Sequence, residues 1–448
     1  MWLYIGISNG EILMKRKLLA AVLICSIVVR LTAAEEVFDA AHLATLGSSL
    51  KPDHITLTWT GDPSDSQTIT FRTSAGVKSG AIIFNEKAQS PSASNKMAAF
   101  PVKLESKWSS KGQGSCILWS TQLKGLKPAT TYQYSIKADG PVTGLFNFTT
   151  GPAPTGTVNF SFLVFGDSQS GNASKPDYSL WHDTISNAFA QNHDARFFVN
   201  MGDLVEIGGD YSHWNNWFTA AQCVMEHIPT MPVQGNHETY GGSKKSGPAK
   251  PSNFISQFPL PQDGPDGLKG QCYSYDYGAV HFAVIDSQEK EESSINGPIL
   301  QKQADWLAKN LATSSNTFKI VMFHKTPYCS KPGREVESAA LTKILCPVIE
   351  GNNVDVVFNG HDHVVARTHP IGKNQTDPGK GPGTIYYIAG RSGSKAYSDV
   401  SKQPWAAFFH NPKDQPCYLV VNIHDRTLTI RTFKADGTLL DTYIIDKT

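Results

Sequence analysis

Phe197-Phe198-Val199-Asn200-Met201-Gly202-Asp203-Leu204-Val205-Glu206 is the stretch whose reading decides the fold. Its first five residues read as a strand, and Gly202 and Asp203 follow at once. Glycine lets the backbone turn sharply out of a strand, so a carboxylate is delivered at the strand's carboxyl end. The arrangement recurs four times. Phe160–Phe165 leads into Gly166-Asp167-Ser168-Gln169, and Thr230–Val233 into Gly235-Asn236-His237-Glu238. Val321-Met322-Phe323 leads into His324, and Val354–Phe358 into Gly360-His361-Asp362-His363. Ligands of α/β folds gather outside the carboxyl ends of strands, so five polar clusters in this position mark one site.

Helical spacing appears between these strands, over Leu180–Ala190, Trp214–Met225, Leu300–Leu311 and Ala339–Ile349. Strands alternating with helices predict an α/β layered domain with β-sheets flanked by helices. Cys272–Asp276 and Val280–Asp286 read as paired strands around Gly278. The carboxyl terminus returns to β over Tyr418–Ile423, Thr427–Phe433 and Leu439–Ile445.

Upstream the period is different. Ile55–Thr60 and Gln67–Arg72 alternate apolar and polar, and further runs lie at Ser115–Leu123, Tyr132–Lys137 and Gly144–Thr149. Short strands separated by turn residues predict an all-β sandwich. Gly151-Pro152-Ala153-Pro154 opens a linker. The expected order is therefore a segment at 35–50, a sandwich at 51–150, a linker at 151–157 and the α/β domain at 158–448.

Residues 1–34 stand apart. Lys15, Arg16 and Lys17 precede the apolar run Leu18–Val29, and small residues end at Ala34. This is the order of a secretory signal peptide. Cleavage is expected after Ala34, with Met14 a candidate start; an uncleaved anchor is the alternative. The run is short for a membrane span, so no stable span is expected after removal. The chain is expected to be exported: extracellular, or periplasmic or cell-surface in a bacterium.

The 448 residues are 40% hydrophobic and 18% charged, a globular composition large enough for two or three domains. Without residues 1–34 the chain keeps 36 basic against 38 acidic residues. Such a balance offers no field for nucleic acid. Cys25 leaves with the signal, and Cys116, Cys223, Cys272, Cys329, Cys346 and Cys417 remain. An even number in an exported protein suggests disulfides, buried thiols being the alternative. Asn147, Asn159, Asn172 and Asn374 each open an N-x-Ser/Thr sequon.

The five clusters supply two carboxylates, an amide and three imidazoles. Mixed oxygen and nitrogen donors of this kind suit zinc, manganese or iron. A carboxylate can bridge two cations, and water held between them ionises near neutral pH into a nucleophile.

The order D-x-Q, G-D-x-x-E, G-N-H-E, H and G-H-x-H resembles the signature of the calcineurin-like metallophosphoesterases. With the sandwich in front, the whole mature chain resembles the purple acid phosphatases. Leu126-Lys127-Pro128-Ala129-Thr130-Thr131-Tyr132 resembles the L-x-P-x-T-x-Y turn of fibronectin type III domains, in which the tyrosine hydroxyl ties back to the backbone. The resemblance implies that Asp203 bridges two divalent metals. It places Asp167 and His363 on the first metal, and Asn236, His324 and His361 on the second. It makes His237 a catalytic contact to the phosphate or the leaving oxygen.

Two departures bear on this. The purple enzymes have tyrosine three residues after the bridging aspartate, where this chain has Glu206: a ligand, a base for a histidine, or a surface residue. Many metallophosphoesterases have histidine at the position of Gln169, whose carbonyl oxygen is the candidate donor here. Lys325, Arg367 and Arg391 are candidates to hold substrate phosphate, with structural roles as the alternative, and His281 reads as a core histidine. Gly242–Pro265 and Ser330–Ser338 are expected at the pocket rim. The expectation is a secreted phosphomonoesterase acting on small phosphate esters. A phosphodiesterase or nucleotidase on the same site is the first alternative, and a surface-binding module with a vestigial metal site the second.

Overall fold

The computed structural model describes residues 40–89, 95–153, 159–241, 249–372 and 383–448. The signal segment 1–34, residues 35–39 of the segment after it, residues 154–157 of the linker, residues 242–248 of the expected rim and Asn374 lie outside the described residues. Among those described, no helix is long and apolar enough to cross a membrane.

The sandwich consists of two four-stranded antiparallel sheets. One orders Asp53–Thr58, Gln67–Thr73, Gly112–Leu123 and Phe100–Trp108; the other orders Asn95–Ala98, Ala81–Glu86, Thr131–Lys137 and Phe146–Thr149. Alternation along the strands sends Leu57, Ile69, Phe71, Ile82, Trp119 and Tyr134 into one shared core. The Tyr132 hydroxyl accepts from the Lys127 backbone N–H at 2.9 Å, closing the corner that Leu126–Tyr132 foretold.

The sandwich is packed on the α/β domain. His54 stacks on Phe218 with centroids 4.9 Å apart. Trp59 meets Phe197, Tyr275 and Tyr277. The Thr230 N–H donates to the Leu57 carbonyl at 2.8 Å.

Two mixed sheets form the middle of the α/β domain. The first orders Phe198–Asn200, Asn159–Phe165, Cys417–His424, Thr427–Lys434 and Leu439–Asp446. The second orders Tyr273–Tyr277, Val280–Val284, Phe318–Met322, Val356–Asn359, Ile385–Ala389, Val365–Thr368 and Ala406–His410. They meet through Phe162 against Phe282 and through a Tyr387–Thr432 hydroxyl contact at 2.6 Å. Helices Ser179–Gln191 and Tyr211–Met225 cover the first sheet, and Trp181 of the former packs edge-on against Phe165. Ile299–Thr313, Glu335–Ile344 and Cys346–Gly351 cover the second, burying Leu300, Leu307, Leu341 and Ile349 with Val321 and Val357. Four of the five polar clusters lie beyond the carboxyl ends of the parallel strands Asn159–Phe165, Phe198–Asn200, Phe318–Met322 and Val356–Asn359, and Val280–Val284 and Ile385–Ala389 flank the last two.

Three expectations need correction. Thr230–Val233 runs beside Phe198–Asn200 but makes only an isolated bridge at Thr230, not a strand. Ala339–Ile349 is two helices, because Pro347 has no N–H and a new helix opens at Cys346. The six cysteines form no disulfide. They sit on separate elements as free thiols, four of them buried, one half-buried and Cys223 exposed. Buried thiols pack as small apolar groups.

Candidate metal centre

Five loops converge on a buried cluster of donors. Asp203, His324 and His361 bring one donor atom each within 4.8 Å of one another, and so do Asp167, Asp203 and His363. The two groups share Asp203. Asn236 joins the first through its Oδ1, 3.2 Å from His324 Nε2. His361 Nδ1 lies 3.1 Å from the same His324 nitrogen, and Asp203 Oδ1 lies 3.3 Å from it. In the second group His363 Nε2 faces Asp167 Oδ1 at 3.3 Å.

The backbone is bent to achieve this. Asp167, Asp203, His361 and His363 all have positive φ, between 47° and 73°. L-residues are uncommon there, aspartate and histidine being the more tolerant, and such conformations concentrate at functional sites. Gly202 and Gly235 are needed for a second reason: a Cβ on Gly202 would lie 2.7 Å from His324 Nδ1, and one on Gly235 would lie 2.2 Å from the Asp203 nitrogen.

Each imidazole is held by its other nitrogen. His324 Nδ1 donates to the Met201 carbonyl at 2.7 Å and His363 Nδ1 to the Lys395 carbonyl at 2.7 Å. His361 Nε2 donates to Glu337 at 2.8 Å. This fixes His324 Nε2, His363 Nε2 and His361 Nδ1 toward the centre, as outer hydrogen bonds do for metal-binding histidines. The Glu238 carboxylate accepts from the N–H groups of Asp203, Val205 and Gly235, clamping two ligand loops together.

The donor set fits cations. Burial lowers the His324 pKa, but the Asp203 carboxylate outweighs it and raises the value to about 9. Burial likewise opposes ionisation of Asp203, yet His237 and His324 hold it well below the usual carboxylate range. His363 Nε2 is buried without a hydrogen bond. A dry site that draws a proton onto an imidazole and keeps its carboxylate charged is built for positive charge. Gln169 turns its amide N–H to Asp203 Oδ2 at 3.1 Å, leaving Oε1 buried without a hydrogen bond. Exchange of the two amide atoms presents the oxygen instead.

The centre opens on a cavity of ≈ 820 Å³ whose lining includes Asp203, Asn236, His237, His361 and Lys395. His237 Nδ1 donates to the Glu206 carbonyl at 2.7 Å, and Lys395 Nζ lies 2.8 Å from His237 Nε2. Burial, reinforced by the Lys395 charge, lowers the His237 pKa to about 4. His237 is therefore a neutral acceptor toward Lys395 at neutral pH.

Residues 160–365 match the calcineurin-like phosphoesterase family, and residues 52–150 match the purple acid phosphatase N-terminal domain. The chain thus joins a purple acid phosphatase N-terminal domain to a calcineurin-like phosphoesterase domain. An uncharacterized protein of Mycobacterium tuberculosis is 26% identical over 345 residues, which are 69% of this chain and 62% of that protein. This chain thus spans less than two thirds of that relative. Purple acid phosphatase 18 of Arabidopsis thaliana is 24% identical, with 67% of each chain covered. The purple acid phosphatase from yellow lupin (Lupinus luteus) seeds has the same fold, with TM-score 0.72 and 18% identity over 89% of this chain and 75% of that one.

The chain departs from the pattern of the purple enzymes at Glu206, and the structure removes one of the three readings of that residue. Glu206 is fully buried, so it is not a surface residue. Its carboxylate lies 3.8 Å from His237 Nδ1 and 3.9 Å from Lys395 Nζ. Lys395 itself was not among the expected residues. It follows Arg391-Ser392-Gly393-Ser394, beyond the strand Ile385–Ala389, so the strand-end rule that found the other clusters applies to it too.

The three candidate phosphate holders fare differently. Lys325 lines the cavity, but its ammonium is taken by Glu291 at 2.8 Å and Glu337 at 3.1 Å. Arg367 and Arg391 are corrected to structural roles. Arg367 bonds Asp441 at 3.0 Å and lies over the Tyr443 ring, joining the two sheets. Arg391 is buried and donates to the carbonyls of Pro412 and Gly393. Arg334, from the expected rim 330–338, lines the cavity and bonds Asp362 at 2.6 Å. His281 is a structural histidine between Asp276 and Asn310, 2.7 Å from each.

Proposed function

We propose that the chain is an exported phosphomonoesterase that works with two divalent cations. The observation that carries this is the pair of three-donor groups sharing Asp203, which lines one cavity together with Asn236 and His361. Asp167 and His363, with Gln169, hold the first cation. Asn236, His324 and His361 would hold the second, with Asp203 common to both groups. Two cations in such a site supply water that is ionised near neutral pH, and neutralise phosphate oxygens.

The chain's own residues do the rest. His237 and Lys395 stand together on the cavity side of Asp203. The Lys395 ammonium donates to His237 Nε2, so the pair brings an N–H to the leaving oxygen of a bound ester. Glu206 keeps that ammonium in place through its charge. Glu238 and Glu337 hold the ligand loops and the His361 ring.

The test is hydrolysis of p-nitrophenyl phosphate and bis(p-nitrophenyl) phosphate by metal-analysed protein. The expected result is two metals per chain and preference for the monoester. Activity should be lost in chelator and restored by zinc, manganese or ferrous iron. Preference for the diester overturns the monoesterase reading. Less than one metal per chain with no hydrolysis marks a binding module instead.

A further inference from the structure

The chemistry of the cavity beyond the metal-facing wall points to the part of the substrate that leaves. Glu337, which bonds the ligand candidate His361, lies in the first turn of the helix Glu335–Ile344. Residues three and four apart on a helix share a face. Ala340 and Leu341 therefore share a face with Glu337, and Val336 with Ala340, and all four line the cavity. Val336 is 86% exposed, an apolar side chain left in solvent at the cavity mouth. Leu300, almost fully buried, also reaches the lining, held by Glu289, which accepts from the Ile299 and Leu300 N–H groups at 2.8 and 2.9 Å.

The charges there are already matched. Lys325 is held by Glu291 and Glu337, and Arg334 by Asp362. Lys395 is committed to His237. A polyphosphate tail extending from the metals would meet the Glu289, Glu291 and Glu337 carboxylates with exposed Lys290 as its remaining cation. A hydrocarbon tail would instead cover Val336 and Ala340.

From this wall we infer that the preferred substrates are phosphomonoesters of apolar alcohols, not polyphosphates or small polyol phosphates. The inference rests on the phosphomonoesterase reading of the same site. Alkylphosphonates test the subsite without turnover. Half-burial of each methylene gives roughly twofold in affinity, so hexylphosphonate should bind metal-loaded protein about thirtyfold more tightly than methylphosphonate. Val336→Asp should cut that ratio at least about threefold. Aspartate suits the first turn of a helix, so the variant should fold. Equal affinities for the two phosphonates, or tighter binding of pyrophosphate than of hexylphosphonate, overturn the inference. Hydrolysis of ethyl, butyl and hexyl phosphates, whose leaving groups are nearly equivalent, should rise along the series. If diesters are hydrolysed and monoesters are not while the phosphonate trend persists, the monoesterase reading fails and the apolar subsite stands.

Discussion

His54 makes the seam between sandwich and α/β domain sensitive to acid. It is buried at the start of the strand Asp53–Thr58, its ring stacked on Phe218 of the helix Tyr211–Met225. Neither ring nitrogen has a hydrogen-bond partner. Burial, with the Arg72 guanidinium nearby, holds its pKa well below 6.5. The unfolded chain takes up a proton as pH falls through about 6.5 and the folded chain does not, so acid favours unfolding. Stability is fully present above that pH and is lost below it, at about 1.4 kcal/mol per pH unit until the folded ring itself protonates. Between pH 6.5 and 4.5 the loss from this single group is at most about 2.5 kcal/mol. The perturbation is His54→Asn, chosen because His54 has φ 47° and asparagine tolerates that region. Urea unfolding from pH 7.5 to 4.5, on wild type and variant with the same metal content, isolates the group. The variant is expected to be less stable at neutral pH through loss of the stack, and the gap should close by up to about 2.5 kcal/mol at pH 4.5. If the two proteins lose stability in parallel, His54 does not carry the acid sensitivity and the reasoning fails.

Asp203→Ala should abolish hydrolysis and lower metal content at both positions; two retained metals with near-normal turnover would remove it as the bridge. His237→Ala should keep both metals and slow turnover about 100-fold or more, with a smaller defect on p-nitrophenyl than on alkyl phosphates. Loss of metal in that variant would make His237 a ligand. Tyr132→Phe removes the acceptor for the Lys127 N–H and should cost about 1 kcal/mol of stability, read in urea, with kcat unchanged. Metal-loaded protein should be colourless, because Glu206 stands where the purple enzymes have tyrosine and the Tyr211 hydroxyl is turned to Gln257; a strong band in the visible spectrum would overturn this.

All the metal-facing residues but Asn236 were legible because they follow a strand closely in the sequence; Asn236 follows Thr230–Val233, an extended apolar run that makes only one bridge. Local rules then act together: an apolar run, a glycine, and a donor at the strand's end. The sandwich was legible through alternation and the Tyr132 corner. What escaped notice depends on contacts between distant segments. Glu337 reaches His361 from a helix, and its glutamate looks like any first-turn acid. Arg367 and Arg391 lie close in sequence to the site, yet their partners on other strands and loops draw them away. Strand Phe100–Trp108 was missed because most of it lies on the solvated side, where alternation is weak. The even cysteine count misled because parity carries no information about distance. Lys395 had a signal, since Ile385–Ala389 is an apolar strand followed by a glycine-rich turn.

Glu206 and Lys395 are best understood as one change to the site. A tyrosine at position 206 would bring a phenolate to a metal, with no need of a cation beside it. A carboxylate there, fully buried within 4 Å of both His237 and Lys395, lowers the cost of keeping an ammonium at the cavity wall. That ammonium in turn donates to His237 Nε2 and keeps its other N–H groups at the cavity. Charge that the purple enzymes spend on the first metal is here placed on the acid side of the reaction. A first metal held as proposed by Asp167, Asp203, His363 and the neutral Gln169 would then be divalent more readily than ferric. The departure from the tyrosine therefore bears on metal charge and proton supply together.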